Sequence, residues 1–254
     1  MPAAYKQMID TWHDVLPDYE IRLWDMEALK KADIRFANEA CSVRKWAFAA
    51  DAIRNYALYH YGGIWLDADI VMYKSFDPFL NCRMFIGKEH TEEYDDKGTG
   101  HFNRLTSHCM GAEKGHPFFK DCLDYYTDRP FILSKCGDLP QSLKYDMRLM
   151  SSTHALLAKK YGYKGKITEA EKEEVLKEDI HVMPSFYSDV PHYHSLDDVV
   201  CVHNHLHSWE QMNENKKVFE LTEKPKEKTL GGFLYEWLNK MLAKKGLQVR
   251  IKSI

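Results

Sequence analysis

The sequence predicts an α/β fold. Three observations carry that expectation. A helical run over 43–61 stops at Gly62, a short apolar strand follows it directly, and further strand-like and helical runs alternate to about residue 202. A chain of 254 residues is long enough for one large α/β domain or two small ones.

Each element has its own signal. Glu20-Ile21-Arg22-Leu23-Trp24 alternates and predicts a short strand. Trp46, Ala47, Ala50, Ile53, Ala57 and Leu58 recur at helical spacing and predict a helix from Val43 to Tyr61, with Gly62 as its stop. Ile64 to Leu66 predicts a strand, Ile70 to Tyr73 a second extended piece and Met84 to Gly87 another strand. Glu89 to Asn103 is polar and contains glycine, so it predicts a loop. Pro117 suits the first turn of a helix running to Tyr126, and Met147 to Tyr161 fits a further helix. Thr168-x-x-Glu171 is a capping box that predicts a charged helix to about Lys177. Ile180 to Met183 and Val199 to Val202 complete the strands.

Residues 211–228 are polar and charged and predict a linker. Beyond it Leu230, Phe233, Leu234, Trp237, Leu238, Met241 and Leu242 form one apolar stripe, with Lys240, Lys244 and Lys245 beside it. Such an amphipathic helix either packs on its own domain or makes a peripheral membrane contact. The expected division is a domain over 1–222 and a basic segment over 223–254.

Composition narrows the function classes. Hydrophobic residues make up 44% and charged residues 29%, as in soluble globular proteins. The net charge of -3 gives no global argument for a nucleic-acid partner. The charge is unevenly spread. Lys224 to Ile254 holds eight Lys/Arg and two Glu, so of the 35 basic and 38 acidic residues the remainder keeps 27 and 36. The six cysteines (Cys41, Cys82, Cys109, Cys122, Cys136, Cys201) include no C-x-x-C pair and read as reduced thiols. With no membrane-spanning apolar stretch and no signal peptide, a cytoplasmic location is expected, with the basic helix as a candidate contact at the inner membrane face.

The chemistry concentrates around Tyr61-Gly62-Gly63-Ile64-Trp65-Leu66-Asp67-Ala68-Asp69. Asp67 and Asp69 are one residue apart, so on an extended backbone they point the same way, and two such acids can hold a divalent ion that holds a diphosphate. The bland alternative is two solvated acids at a strand end. Asp51 and Arg54 share a face of the preceding helix, either as a structural ion pair or to meet sugar hydroxyls and phosphate. His203, His205 and His207 alternate after the last strand, and a neutral imidazole can complete a metal shell that two carboxylates begin.

These residues carry a family resemblance. Ala50-Asp51-x-x-Arg54-x-x-Ala57-Leu58-x-x-Tyr61-Gly62-Gly63-Ile64-Trp65-Leu66-Asp67-x-Asp69 resembles the sugar-binding region of DXD glycosyltransferases of the family 32 type. That family includes bacterial capsular-polysaccharide transferases and yeast α-mannosyltransferases. Leu16 to Asp25 resembles its early strand, Gly111-Ala112-x-x-Gly115-His116-Pro117-Phe118 its middle segment and His203-x5-Trp209 its closing motif. The resemblance implies a GT-A fold, a mixed central sheet flanked by helices. It implies Mn²⁺ or Mg²⁺ held by Asp67, Asp69 and His203, with Asp51, Arg54 and Trp65 beside a nucleotide-diphosphate sugar and Trp209 over the leaving nucleotide. It also implies hexose transfer with retention to a glycan or lipid-linked acceptor, in polysaccharide biosynthesis. Asp51, Arg54 and Asp69 are the catalytic candidates.

Two departures qualify this. The family's opening I-P-K-x-I-H-x-x-W strand has no counterpart, because Met1-Pro2-Ala3-Ala4-Tyr5 resembles the region after it, so the fold is expected without its first strand. No T-G-P is found around Ser151-Ser152-Thr153-His154. Two other readings follow. Ile64 to Val71 also fits the D-x-D-x-[TV] pattern of haloacid-dehalogenase-like phosphohydrolases, with Asp67 as nucleophile and Asp69 as acid/base. The lost strand points instead to a weakly active remnant.

Overall fold

The computed structural model describes residues 3–89, 104–166, 172–188 and 199–204, all within one compact unit, Met1–Lys216. The proposed linker and C-terminal helix, the loop 90–103, the capping box Thr168–Glu171, and His205, His207 and Trp209 lie outside the described residues.

Helices lead the chain: α1 (Ala3–Val15), α2 (Met26–Ala32), α3 (Arg35–Ser42) and α4 (Trp46–Tyr61). They are followed by β1 (Gly63–Leu66), β2 (Ile70–Met72), β3 (Met84–Lys88), β4 (Leu105–Ala112), α5 (Pro117–Tyr126), α6 (Gln141–Lys144), α7 (Met150–Ala158), β5 (Glu174–Leu176), β6 (Ile180–Met183) and β7 (Cys201–His203). Five strands form a mixed sheet in the order β1-β4-β3-β6-β5, in which β3 and β6 run parallel and the other pairs antiparallel. Strands β2 and β7 form a separate antiparallel ribbon. This is the expected α/β architecture, a mixed sheet flanked by helices.

Packing explains the arrangement. On one side Met84, Ile86, Leu105, Met110, Ile180 and Val182 of the sheet bury against Phe118, Phe119 and Ala155 of α5 and α7. On another, Trp12 and Leu16 pack with Ile70, Met72, Phe85 and Cys201. There α1 clips the ribbon, because Trp12 Nε1 donates to the Ile70 carbonyl at 2.8 Å and the Met72 N–H donates to Thr11 Oγ1 at 3.0 Å. A third cluster joins α3 to α4 through small residues, Ala37 and Ala40 against Ala49 and Ala52, which let the helices approach closely.

Three expectations are corrected. Glu20–Trp24 forms no strand: Ile21 and Leu23 are exposed, so its alternation marks no buried face. Trp24 instead packs edge-on against Tyr61, with Arg22 over both rings. The helix expected from Val43 starts at Trp46, because Arg44 adopts φ 59 and the Lys45 N–H returns to the Ala40 carbonyl at 2.9 Å. The helix expected to reach Lys177 is strand β5 over Glu174–Leu176, antiparallel to β6, followed by a 3-10 turn at Lys177–Asp179. All six cysteines are free thiols. Among the described residues no helix is long and apolar enough to cross a membrane.

Candidate active site

The site forms where α4, β1 and the β2–β7 ribbon meet. Helix α4 ends at Gly62, whose N–H bonds to the Leu58 carbonyl at 3.0 Å and whose φ of 71 and ψ of -164 suit glycine alone. A Cβ there would also lie 2.7 Å from the Lys114 backbone nitrogen. The turn sends β1 antiparallel along β4, and the Asp67 N–H continues that ladder to the His108 carbonyl at 2.9 Å.

Asp67 and Asp69 are not on an extended backbone as expected. The Ile70 N–H bonds back to the Asp67 carbonyl at 3.1 Å and closes a turn over Asp67–Ile70. Their convergence depends on the ribbon instead. The Asn204 N–H binds the Asp69 carbonyl at 3.0 Å, and His203 pairs opposite Ile70. His203 Nε2 consequently lies 3.2 Å from Asp69 Oδ1. One ligand atom each from Asp67, Asp69 and His203 fall within 4.8 Å of one another.

Asp51 and Arg54 stand behind this group. Arg54 Nη2 lies 3.2 Å from Asp51 Oδ1 and 3.4 Å from Asp67 Oδ1. Its Nε donates to the Ala50 carbonyl at 3.3 Å and its Nη1 to the Ser107 carbonyl. With 4% of its surface exposed, Arg54 acts first on protein groups. Trp65 Nε1 donates to Asp67 Oδ1 at 2.7 Å, and its ring centroid lies 5.6 Å from the guanidinium carbon. One carboxylate oxygen of Asp67 is therefore fixed from two sides.

Electrostatics agree with the geometry. Burial, reinforced by the Asp67 charge and opposed by Arg54, pushes the Asp51 carboxyl up to about 7. Burial works against the Arg54 charge, but Asp67 and Asp51 outweigh it and hold the guanidinium more firmly protonated than usual. Three acids share one guanidinium, and the surplus negative charge suits a divalent cation. Two carboxylate oxygens and one imidazole nitrogen fit Mn²⁺ or Mg²⁺, the nitrogen favouring the transition metal.

Sequence reasoning missed His108. It is buried on β4, its ring stacks on His203 with centroids 4.3 Å apart and planes 19° apart, and its Nε2 donates to the Ser188 carbonyl at 2.7 Å. A polar ring inside the strand Leu105–Ala112 was the available signal, but that strand itself was not expected. Of the predicted residues, the structure brings together Asp51, Arg54, Trp65, Asp67, Asp69 and His203.

Residues 2–86 match the family described as glycosyltransferase sugar-binding region containing DXD motif. This stretch is similar to the sugar-binding region of DXD glycosyltransferases. The matched stretch contains Asp51, Arg54, Trp65, Asp67 and Asp69, while His203 and His108 join from beyond it. The chain is similar to inositol phosphoceramide mannosyltransferase 3 of Schizosaccharomyces pombe, 29% identical over 109 residues, which are 41% of this chain and 28% of that protein. It is also similar to two mannosyl phosphorylinositol ceramide synthases of Saccharomyces cerevisiae. CSH1 is 33% identical over 110 residues, 42% of this chain and 26% of its own length. SUR1 is 28% identical over 127 residues, 48% of this chain and 30% of its own. The chain thus spans less than a third of each relative. No solved structure gives a significant match.

Proposed function

We propose that this protein is a divalent-metal-dependent glycosyltransferase that moves a hexose from a nucleotide-diphosphate sugar to a glycan or lipid-linked acceptor. The observation that carries the reading is the convergence of Asp67, Asp69 and His203 in front of the Arg54–Asp51 pair. The three mannosyltransferase-type relatives support mannose as the hexose and an inositol-phosphate lipid as one acceptor to try.

In this reaction the sugar–phosphate bond breaks, a glycosidic bond forms to an acceptor hydroxyl, and the nucleoside diphosphate leaves. Asp67, Asp69 and His203 would hold Mn²⁺ or Mg²⁺, which supplies Lewis-acid neutralisation of the diphosphate when bound. Arg54 adds a fixed positive charge behind Asp67 that needs no rearrangement during reaction. Asp51 pairs with Arg54 and holds its guanidinium from the side of α4. Trp65 keeps the Asp67 carboxylate in one rotamer. Retention at the anomeric centre belongs to the same proposal. In the phosphohydrolase alternative Asp67 would have to attack through Oδ2, because Oδ1 is already held by Trp65 and Arg54.

Incubation with GDP- and UDP-hexoses and Mn²⁺, with release of the nucleoside diphosphate as readout, tests the proposal. Turnover that needs Mn²⁺ and falls at least ~100-fold in Asp69→Ala is expected. Turnover of an aryl phosphate with no sugar-nucleotide cleavage would instead make the protein a phosphohydrolase.

A further inference from the structure

We propose that His108 is a positioning residue for the metal-binding histidine, holding the His203 imidazole by stacking while the Ser188 carbonyl holds His108 itself. The proposal rests on the reading of Asp67, Asp69 and His203 as a metal site and adds a residue outside the matched family region.

Three observations carry it. First, the stack is close and nearly parallel, 4.3 Å and 19°, so the two rings share a face and His203 cannot swing about its side-chain bonds without sliding over His108. Second, His108 is anchored. A carbonyl oxygen only accepts, so the 2.7 Å contact to Ser188 places the proton on Nε2 and fixes both the tautomer and the ring plane. Third, the surroundings are shaped to bring Ser188 in. Gly87 of β3 faces it, and a Cβ at Gly87 would lie 2.5 Å from Ser188 Oγ and 3.1 Å from Thr106 Oγ1. The β3–β4 register shifts at this point, between Ile86 and Lys88.

The consequence is chemical. His203 Nε2 is the atom aimed at Asp69 Oδ1, 3.2 Å away, so a rotated ring would remove the one nitrogen that the described residues bring to this group. His108 acts by holding the orientation of the His203 ring. It ties the central sheet to the β2–β7 ribbon at the residue where the ribbon delivers its ligand.

Mn²⁺ titration of the full chain, followed by electron paramagnetic resonance of the free ion, tests this without using activity. His108→Ala is expected to weaken Mn²⁺ binding ~10- to 100-fold, as for residues that orient a metal ligand. His108→Phe keeps a flat ring for stacking and is expected to recover most of that loss, although it cannot bind Ser188. Melting curves of the metal-free proteins separate positioning from folding. Should His108→Ala fail to fold, Phe and Gln variants decide, with Phe binding Mn²⁺ more tightly than Gln. A folded His108→Ala with wild-type Mn²⁺ affinity, or Phe no better than Gln, overturns the inference and leaves the metal site standing. Absence of Mn²⁺ binding by the unaltered chain removes the metal site, and this inference falls with it.

Discussion

Asp51 and His154 belong to one buried network, and their protonation pulls stability in opposite directions. Asn55 joins them, donating through Nδ2 to the Asp51 carbonyl at 2.7 Å and lying 3.1 Å through Oδ1 from His154 Nε2. Burial pushes Asp51 up to about 7 from 3.8, so the folded state holds a proton that the unfolded chain has released, and stability falls as pH rises from about 4 to about 7. Burial pushes His154 down to about 3 from 6.5, so the folded state refuses a proton that the unfolded chain takes, and stability falls as pH drops from about 6.5 to about 3. The windows overlap and the slopes offset. In metal-free Asp51→Asn the opposing slope is gone while His154 and His116, both pushed down by burial, keep theirs, so the guanidinium chloride midpoint is expected to rise steadily from pH 4 to 6.5, against a flatter profile for the unaltered protein. A falling midpoint would show that Asp51 is not the compensating group. At this scale the sequence was informative where a residue type is rare in its setting. The acid pair and His203 stood out, whereas His108 and His154 looked like ordinary histidines because their function depends on neighbours 80 and 48 or more residues away.

At the scale of elements, legibility followed periodicity. Helix α4, strands β1 to β3 and helix α5 carry clear helical or apolar runs and sharp stops, and they form close to where those signals place them. Strand β4 carries no such signal. It is central and largely buried on both faces, so it shows no alternation, and Thr106, Ser107, His108 and Gly111 interrupt its apolar run. Glu20–Trp24 alternates without pairing, with Ile21 and Leu23 facing solvent. The turn after β1 shows the same limit: sequence spacing predicted two parallel acids, while the ribbon bond from Asn204 to Asp69 decides where they point. Gly62 is the element boundary with the clearest cost. Gly62→Ala imposes a left-handed φ and a 2.7 Å approach to the Lys114 backbone nitrogen. The expected loss is about 2–4 kcal/mol by denaturant titration. A loss under ~0.5 kcal/mol would show that the α4–β1 turn relaxes freely.

Across the whole molecule, the site is assembled from distant parts of the chain. The matched region supplies Asp67, Asp69 and their Arg54 support, and His203 arrives from β7 through a ribbon that α1 clips in place. The fold class was readable from sequence, and the candidate trio Asp67, Asp69 and His203 named there does lie close together in the fold. How the ribbon closes the site was not readable, since it depends on packing of α1 against β2. The proposed function requires this assembly to bind a divalent cation together with a nucleoside diphosphate. Isothermal titration of GDP and UDP into the protein, with and without Mn²⁺, tests it most directly. Binding that requires Mn²⁺ and weakens at least ~10-fold in Asp67→Asn is expected. Nucleotide binding that is equal with and without Mn²⁺, or unchanged by Asp67→Asn, would contradict it.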